Sequence, residues 1–447
     1  MLGLFAASDV NAARALMADS LGFHIIFALL GVGLPLVVSL LEFWSIRRKD
    51  PALREAARRL SMVAIILVVA GVASGTIIAI QMPLMWPKLV EFGGPIVGLP
   101  FMLEGYAFLL EALFLSFYMA TWKKYQGYKH WLLSLPVIAG ALGSAFFITT
   151  VNSWMQQPAG FEGVDAAGKL INPNVWAGIL NKNTFFMTSH SILSYYLATV
   201  LIVLGCYAWQ RWRKRPVKAD RQLSEFIMVR LASIAVVLSV LVSVIGHFNL
   251  QYLATAQPHK FAAIELVPKT TSHAPYVVGG TLSDDGTKVE GGIRVPSLLS
   301  LLTGNSPNTQ VPGLDQTPRK DWPNLIINKL FEAKMALVGL MVAVPVLFLT
   351  LRWKFKRLAY KKPVLLAMIA SGPIAVIVIE LGWMITEFGR QPYIVRGYVT
   401  VEEAFSRNPG VQRWGYIFPT LYVLLFIATG FALRLGLWRF DAKKEGK

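Results

Sequence analysis

Residues 364–393 read VLLAMIASGPIAVIVIELGWMITEFGRQPY, and this stretch decides the fold. A segment that crosses a bilayer needs about 20 mostly apolar residues, which residues 364–386 provide. The segment then ends on Glu387, with Arg390 and Pro392 close behind. Because an acidic side chain at membrane depth is costly and needs a partner, the stretch predicts a membrane helix with a polar site at its end.

The whole chain has the composition of a membrane protein. Of its 447 residues, 55% are hydrophobic and only 15% are charged, whereas soluble domains carry about 25% charged residues. The single cysteine, Cys206, excludes a disulfide framework and a thiolate metal cluster within the chain. The net charge of +18 resides largely in short connections between apolar segments. This placement argues against nucleic-acid binding and makes the charge a signal of membrane topology.

Nine apolar segments are long enough to span a bilayer. They cover residues 22–44, 61–83, 101–121, 131–151, 185–208, 227–248, 327–350, 364–387 and 416–436. The chain contains no repeat of fixed period, so residues 1–447 are predicted to form a single all-α membrane domain with nine transmembrane helices. Residues 249–326 are predicted to form a long extracytoplasmic loop within it, and loops of that length usually carry function.

Lysine and arginine residues set the predicted orientation. The connections after the first, fifth and seventh segments each hold six of them, and the connection after the third holds three. The alternate connections are poorer in short basic runs. By the positive-inside rule, the N-terminus is predicted to lie outside and the C-terminus in the cytoplasm.

This topology brings rare side chains to a similar depth near the outer face. They are His24, Glu104, Glu111, His190, Met335 and Glu387, which come from five segments. Glu104 and Glu111 are seven residues apart, so they share one helix face about 10 Å apart along the axis. Glu380 and Glu387 repeat that spacing. Carboxylates stacked in this way suit a proton relay, or a site where one acid contacts a metal and another passes protons.

Each of these residues has an ordinary explanation when it is considered alone. A membrane histidine often bonds to a neighbouring helix, and methionine fills irregular cores. Their convergence favours a cofactor. Zinc prefers ligands that are paired along one segment, and the chain has no HxxxH, HxxE or CxxC pattern. Haem fits better, because one or two axial ligands per iron can come from different helices.

Several motifs resemble those of one family. They are VNSWMQQPAG (151–160), FFMTSHSILSYY (185–196), QPHKFAAIE (257–265) and GRQPY (389–393). Together they resemble subunit I of the cytochrome bd quinol oxidases over nearly the whole chain, with a quinol loop of the short type. Tyr393 stands where the family pattern has tryptophan, and both residues suit an interface.

The resemblance implies a haem-containing quinol:oxygen oxidoreductase subunit that reduces O2 to water in a bacterial or archaeal cytoplasmic membrane. It implies a low-spin haem b, a high-spin haem b and a chlorin-type haem d, and a membrane potential made by vectorial proton chemistry without pumping. The implied partners are membrane quinol and a second large membrane subunit, subunit II, with a small single-span subunit as a further candidate. Menaquinol and ubiquinol both remain open as the donor.

The resemblance also implies the residues that bind the haems. His190 and Met335 would ligate the low-spin haem b. His24 and Glu387 would ligate the other two haems, and the sequence does not fix which residue belongs to which iron. Trp383 precedes Glu387 by four residues, shares its helix face and would border the same cofactor region.

The remaining implied roles concern protons and quinol. Glu104 and Glu111 would line the haem pair and the proton route. Lys260 and Glu265 would hold the quinol head group, since an ammonium can donate to a quinone oxygen and a carboxylate can accept a quinol proton. Arg390 would offset haem propionates and the carboxylate at the end of the eighth segment, because its planar fork meets carboxylate oxygens in pairs.

One segment departs from the family pattern of Phe-Arg-x-Met before a glycine. The chain reads FEAKMALVG at 331–339. Aligning the glycine puts Leu337 at the ligand position, whereas aligning the methionine puts Lys334 beside Met335 and leaves no arginine. Because Met335 and Leu337 are about 200° apart on a helix, they cannot replace each other in place. A five-coordinate haem or another ligand therefore stays open.

Two other functions compete with the oxidase hypothesis. One is a relative that keeps its haems but uses a different electron donor or lacks oxygen chemistry. The other is a proton-coupled transporter without a cofactor, although transporters often carry inverted repeats and none is visible here.

Overall fold

The computed structural model describes residues 10–213, 218–407 and 414–445, most of which are helical. The long helices are α1 (Val10–Arg48), α2 (Pro51–Met85), α3 (Pro87–Ala120), α5 (Ser134–Gln156), α7 (Lys182–Arg213), α8 (Lys218–Ala256), α11 (Ile326–Lys354), α13 (Lys362–Phe388) and α15 (Trp414–Glu445). The short helices are α4 (Tyr128–Trp131), α6 (Val175–Ile179), α9 (Pro258–Glu265), α10 (Leu298–Gly304), α12 (Lys356–Ala359) and α14 (Val401–Ala404).

Short antiparallel strand pairs lie in the connections. They are β1 (Gly163–Val164) with β2 (Leu170–Ile171), β3 (Tyr276–Val278) with β6 (Ile293–Val295), β4 (Thr281–Leu282) with β5 (Val289–Glu290), and β7 (Tyr393–Val395) with β8 (Val399–Thr400). The strands are two or three residues long, so the fold remains that of a helical membrane protein.

The predicted number of membrane segments is confirmed. Within the described ranges, nine helical stretches are long and apolar enough to cross a membrane, and each predicted segment falls on one of them. The helices extend beyond the apolar segments. Helix α8 continues to Ala256, so the first eight residues of the predicted loop 249–326 belong to a helix. Part of one basic connection, residues 214–217, lies outside the described residues.

Helix starts and ends follow local chemistry. Helix α2 begins at Pro51 after Asp50, whose carboxylate accepts a hydrogen bond of 2.9 Å from the Ala52 backbone N–H. A carboxylate at this position satisfies an end group of the helix, and proline suits its first turn. Helices α3 and α9 also begin at proline, at Pro87 and Pro258.

The long helices form two groups that meet along α1 and α7. Helices α1, α2, α3 and α5 pack together, and so do α7, α8, α11 and α13. Helix α15 lies against α1 and α2. The connections 49–50, 121–127 and 355–361 lie at one end of the bundle, which we call the basic end. The connections 86, 157–181 and 257–325 lie at the opposite end, which we call the long-loop end.

The long connection has a packed interior of its own. Phe261, Val311 and Leu314 are fully buried there, in a cluster that also includes Ile327 at the start of α11. A backbone bridge joins Thr271 to Val311. Helix α9 is therefore held in a fixed position over the ends of α11 and α13.

Candidate functional site

The candidate site includes His24, which lies on α1 against α2. Its ring Nδ1 is 2.9 Å from the Ser74 hydroxyl oxygen, and that hydroxyl is 2.9 Å from the Ala70 carbonyl oxygen. Because the hydroxyl donates to the carbonyl, its oxygen accepts from Nδ1–H, which leaves Nε2 with a free electron pair. A Cβ at Gly75 would lie only 3.1 Å from the ring, so glycine makes room for it. His24 is thus oriented in the way metal-ligating histidines usually are.

His190 lies on α7, in the second group of helices. A Cβ at Gly246 of α8 would come within 3.3 Å of its ring, so this residue too is accommodated by a glycine. Its Nδ1 is buried and has no hydrogen-bond partner among the described residues. A buried polar atom without a partner calls for an explanation, and a cofactor held by this imidazole supplies one.

The α11 side chain that reaches toward His190 is Lys334. Its ammonium nitrogen would lie 3.5 Å from a Cβ at Gly382 of α13, and its charge acts on the His190 ring. Leu337 packs against the core, whereas Met335 is 46% exposed. Ligation by Met335 would need its exposed side chain to turn into the bundle, so it remains a prediction.

Trp383 and Glu380 lie on α13, which packs against α7. The indole N–H of Trp383 donates to the Tyr195 hydroxyl at 3.1 Å. The Glu380 Oε2 would lie 3.4 Å from a Cβ at Gly22, two residues before His24. The other oxygen, Oε1, is buried and unpartnered within the described ranges. Sequence reasoning gave Tyr195 no role, although the aromatic pair that ends FFMTSHSILSYY marks it.

Glu387 ends α13 inside a polar network. Its Oε2 accepts from Arg390 Nη2 at 2.5 Å, and its Oε1 accepts from Asn152 Nδ2 at 2.6 Å. Arg390 thus lies where it can compensate the Glu387 carboxylate. Arg390 is only 7% exposed, and its Nε and Nη1 have no partner in the part of the chain that the structure describes. These free N–H groups fit a ligand with carboxylates of its own.

Lys260 on α9 reaches the same network. Its Nζ donates to Gln156 Oε1 at 3.1 Å and to the Thr386 carbonyl at 3.3 Å. A Cβ at Gly389 would lie 2.4 Å from Lys260 Cε, which is far inside van der Waals contact. Only glycine therefore lets the lysine pass beside the end of α13.

Burial lowers the pKa of Lys260 to about 7, because the charged form loses its hydration. The Glu387 carboxylate opposes this change, and Arg390 and Arg396 add to it by repulsion. The amine is consequently poised to gain and lose a proton near neutral pH.

Glu265 ends α9, and its surroundings differ from those of Lys260. It is 6% exposed, and its Oε1 has no partner among the residues described. Burial raises its pKa to about 8, with a further contribution from the Glu332 carboxylate. Five helical positions separate it from Lys260, or about 140° around the axis. The structure brings Lys260 to the Glu387 network but does not place Glu265 there.

Sequence reasoning missed the amides of that network. Asn152 and Gln156 lie four residues apart on α5, inside the motif VNSWMQQPAG, so they share one face. It also missed Arg396, whose Nη2 lies 3.3 Å from His259 Nδ1. Two amides on one face of an apolar helix were the signal that could have indicated a polar site.

Glu104 and Glu111 lie on the continuous helix α3, as their spacing predicted. Glu111 is 2% exposed, and its Oε1 lacks a partner within the described structure. Helix α5 approaches closely, since a Cβ at Gly140 would lie 2.6 Å from the Glu111 backbone nitrogen. Glu104 is half-buried.

The candidate ligands thus lie on separate helices. Among the described residues, no three His, Cys, Asp or Glu side chains come together as a site for a bare metal ion. Free imidazole nitrogens on α1 and α7 and spare arginine N–H groups fit a large cofactor that bridges helices and carries carboxylates. This donor set fits haem, whose iron takes axial ligands from different helices.

Comparisons with known proteins agree on one family. The family profile for cytochrome bd terminal oxidase subunit I matches residues 12–437. The chain is 31% identical over 425 residues to a putative cytochrome bd menaquinol oxidase subunit I from Bacillus subtilis, which covers 95% of this chain and 96% of that protein. It is 26% identical to the cytochrome bd ubiquinol oxidase subunit 1 of Bacillus subtilis, over 90% of this chain and 87% of that protein.

A solved structure gives the same result. The bd oxidase from Geobacillus thermodenitrificans matches with a TM-score of 0.89 and 32% identity, over 97% of this chain and 99% of that one. Both sequence and fold therefore place the chain among oxidase subunits, and the cofactor-free transporter hypothesis is wrong.

Proposed function

Since the chain belongs to the cytochrome bd terminal oxidase subunit I family, we propose that it reduces O2 to water with electrons from membrane quinol. It is a multi-pass membrane subunit of a terminal oxidase, an oxidoreductase that works with haem, quinol and a partner subunit II. Relatives are named for both menaquinol and ubiquinol, so the kind of quinol is left to experiment. A small single-span subunit is a further proposed partner.

His190, His24 and Glu387 are the side chains we propose as haem ligands. His190, with Met335 as the ligand implied by the family pattern, would hold a low-spin haem b. His24 and Glu387 would hold a high-spin haem b and a haem d in an order left open. When bound, the haems supply electron transfer and the iron that binds oxygen. The free Nε2 of His24, the unpartnered Nδ1 of His190 and the spare Arg390 N–H groups support this assignment.

Lys260 and Glu265 are the residues we propose for quinol. The Lys260 amine, with its pKa near 7, can donate to a quinone oxygen, and it lies against the Glu387 network. Glu265, with its pKa near 8, can accept a proton that the quinol releases. Because the two side chains lie in different surroundings, they would serve opposite sides of the head group. Residues 249–326 would then form the quinol-binding part of a single membrane domain.

The proposed orientation places the long-loop end outside a bacterial cytoplasmic membrane, with the N-terminus outside and the C-terminus inside. The basic connections support this orientation. Quinol protons would leave near Glu265 outside, while the protons that oxygen consumes would enter from the basic end. Glu104 and Glu111 would lie along that inward route. The resulting charge separation generates a membrane potential without a pump.

The alternative of a haem protein with another electron donor is not favoured. The curated relatives reported above are named as quinol oxidase subunits, and the motif QPHKFAAIE is complete in this chain.

The observation that carries the proposal is a buried lysine beside the Glu387–Arg390 pair, in a chain of this family. The test is quinol-driven oxygen uptake by the purified complex, with Lys260→Met and the exposed control Lys269→Met. We expect the first variant to lose at least about ten-fold in kcat/KM, as positioned hydrogen bonds contribute that much, and the control to match the wild type. Undiminished uptake by Lys260→Met would contradict the quinol assignment. A reduced-minus-oxidised spectrum without haem bands would contradict the oxidase itself.

A further inference from the structure

A second polar cluster lies at the basic end of the bundle, away from the candidate haem ligands. Its members are Glu42 on α1, Tyr118 on α3 and His130 on α4, and each is at most 1% exposed. The Tyr118 hydroxyl donates to Glu42 Oε2 at 2.6 Å, and His130 Nδ1 lies 2.6 Å from Glu42 Oε1. Three proton-carrying groups are therefore joined by short hydrogen bonds in the interior.

His130 has an acceptor at each ring nitrogen. Its Nδ1 faces the Glu42 carboxylate, and its Nε2 lies 2.8 Å from the Tyr118 carbonyl oxygen. An imidazole between two acceptors can carry a proton on each nitrogen, and here the Nδ1 proton can pass to the Glu42 carboxylate while the Tyr118 carbonyl holds the Nε2–H. His130 also directly follows the exposed residues Tyr128 and Lys129, so the ring lies one layer beneath the surface of the basic end.

Tyr118 connects this cluster to the acids of α3. Glu104, Glu111 and Tyr118 are spaced by seven residues along one uninterrupted helix. Seven positions turn a helix through nearly two full turns, so all three side chains lie close to one face, about 10.5 Å apart from one to the next. Glu111 is buried with an oxygen that no described residue pairs. The stripe runs from the basic end toward the depth of the candidate haem ligands.

We propose that Glu42, His130 and Tyr118 form the proton entry of this oxidase, delivering protons from the basic end to Glu111. The proposal rests on the proposed function, which requires protons to arrive from that side. A proton that moves from His130 to Glu42 neutralises the carboxylate. Tyr118 then accepts it as its own hydroxyl proton leaves toward Glu111 through intervening water. His130 regains a proton from the solution at the basic end, so each group gains and loses one proton per passage, the relay returns to its starting state and nothing is oxidised.

A purely structural role predicts different behaviour. A clamp between α1, α3 and α4 needs hydrogen bonds and packing but no titratable carboxylate. Glu42→Gln keeps the size and the polar character of the side chain while it removes the proton carrier. The matched control is Ser134→Ala, because the Ser134 hydroxyl donates to Ser39 at 2.8 Å, joins α5 to α1 and is also buried.

The experiment uses the complete haem-loaded oxidase in detergent, with quinol-driven oxygen uptake in H2O and in D2O. For Glu42→Gln we expect kcat to fall at least about ten-fold, with an unchanged quinol KM, an unchanged haem spectrum and a larger solvent isotope effect. Glu42→Asp should recover part of the rate, and Ser134→Ala should retain the rate of the wild type.

Tyr118→Phe provides a second measurement, because it removes only a hydroxyl group. We expect it to lower kcat and raise the isotope effect as Glu42→Gln does, and it decides the matter if the glutamine variant fails to assemble. Wild-type kcat and isotope effect in Tyr118→Phe would overturn the relay, and so would equal losses in Glu42→Gln and Ser134→Ala. A wild-type complex that takes up no oxygen with quinol would instead refute the proposed function.

Discussion

Replacing Lys260 by methionine should stabilise the protein in acid and have much less effect in alkali. The side chain is buried, and its pKa falls from 10.5 to about 7 on folding. At 1.36 kcal/mol per pH unit, the buried ammonium costs the folded state about 5 kcal/mol at pH 6. The unfolded chain binds the extra proton between pH 7 and 10.5, so the cost declines through that window and is about 2 kcal/mol at pH 9.

Methionine has a similar length and carries no charge, so Lys260→Met removes this cost. It also removes the hydrogen bonds to Gln156 and to the Thr386 carbonyl, each worth about 1 kcal/mol. That loss is similar at both pH values. The free energy of unfolding of Lys260→Met, relative to that of the wild type, should therefore be about 3 kcal/mol larger at pH 6 than at pH 9.

The assay is denaturant unfolding of both proteins in the same detergent at pH 6 and pH 9, followed by circular dichroism. The control is Lys269→Met, because Lys269 is exposed. Its free energy of unfolding should show no pH-dependent difference from that of the wild type. A Lys260→Met protein that gains no stability at pH 6, or gains more at pH 9, would refute the reasoning that burial keeps this amine near neutrality.

Three further substitutions test other parts of the site. Glu265→Gln should stabilise the protein by about 4 kcal/mol more at pH 9 than at pH 5, as denaturant unfolding would measure. Burial raises the Glu265 pKa from 4.5 to about 8, so the ionised carboxylate of the wild type destabilises the fold at high pH. Gly389→Ala should lower the free energy of unfolding by about 1–3 kcal/mol and slow quinol oxidation, since the added Cβ would lie 2.4 Å from Lys260 Cε. Denaturant unfolding measures the first effect and oxygen uptake the second. Ser74→Ala removes the acceptor for His24 Nδ1. It should weaken retention of the haem that we propose His24 ligates by about 10–100-fold, which haem titration measures.

Each substitution has a control on the same chain. Glu290→Gln changes an exposed carboxylate, Gly98→Ala adds a methyl group where nothing lies within 4 Å, and Thr76→Ala removes an exposed hydroxyl on α2. Equal effects in a test variant and its control would contradict the contact on which that prediction depends.

Hydropathy alone predicted the membrane helices, because a bilayer forces every backbone polar group into internal hydrogen bonds. It could not predict the helix ends, which depend on local caps such as Asp50 and continue past the apolar region, as α8 does to Ala256. The depth argument also singled out His24, His190 and Glu387 as candidate ligands, since ligand-type side chains are rare in such helices. In each case the physical constraint acts on a single helix.

Contacts between side chains on different helices could not be predicted from the sequence in this way. The spacing on α9 gives the angle between Lys260 and Glu265, but only the packing of α9 over α13 shows that the lysine bonds to the Thr386 carbonyl, next to Glu387. Likewise, the sequence left open whether Met335 or Leu337 faces the bundle interior, because that depends on the rotation of α11 against its neighbours. The cluster of Glu42, Tyr118 and His130 went unnoticed for the same reason, since its members lie on three different helices.

Lys260 connects stability to function. A buried amine that costs the fold about 5 kcal/mol at pH 6 would be replaced by an apolar residue if stability alone mattered. Several features accommodate the amine all the same, including Gly389, which leaves it space, and Gln156, whose side-chain oxygen accepts a hydrogen bond from it. Such support for an unfavourable group is expected where the group has a task. If Lys260→Met yields a protein that is more stable in acid yet oxidises quinol slowly, then the same amine both destabilises the fold and takes part in quinol oxidation.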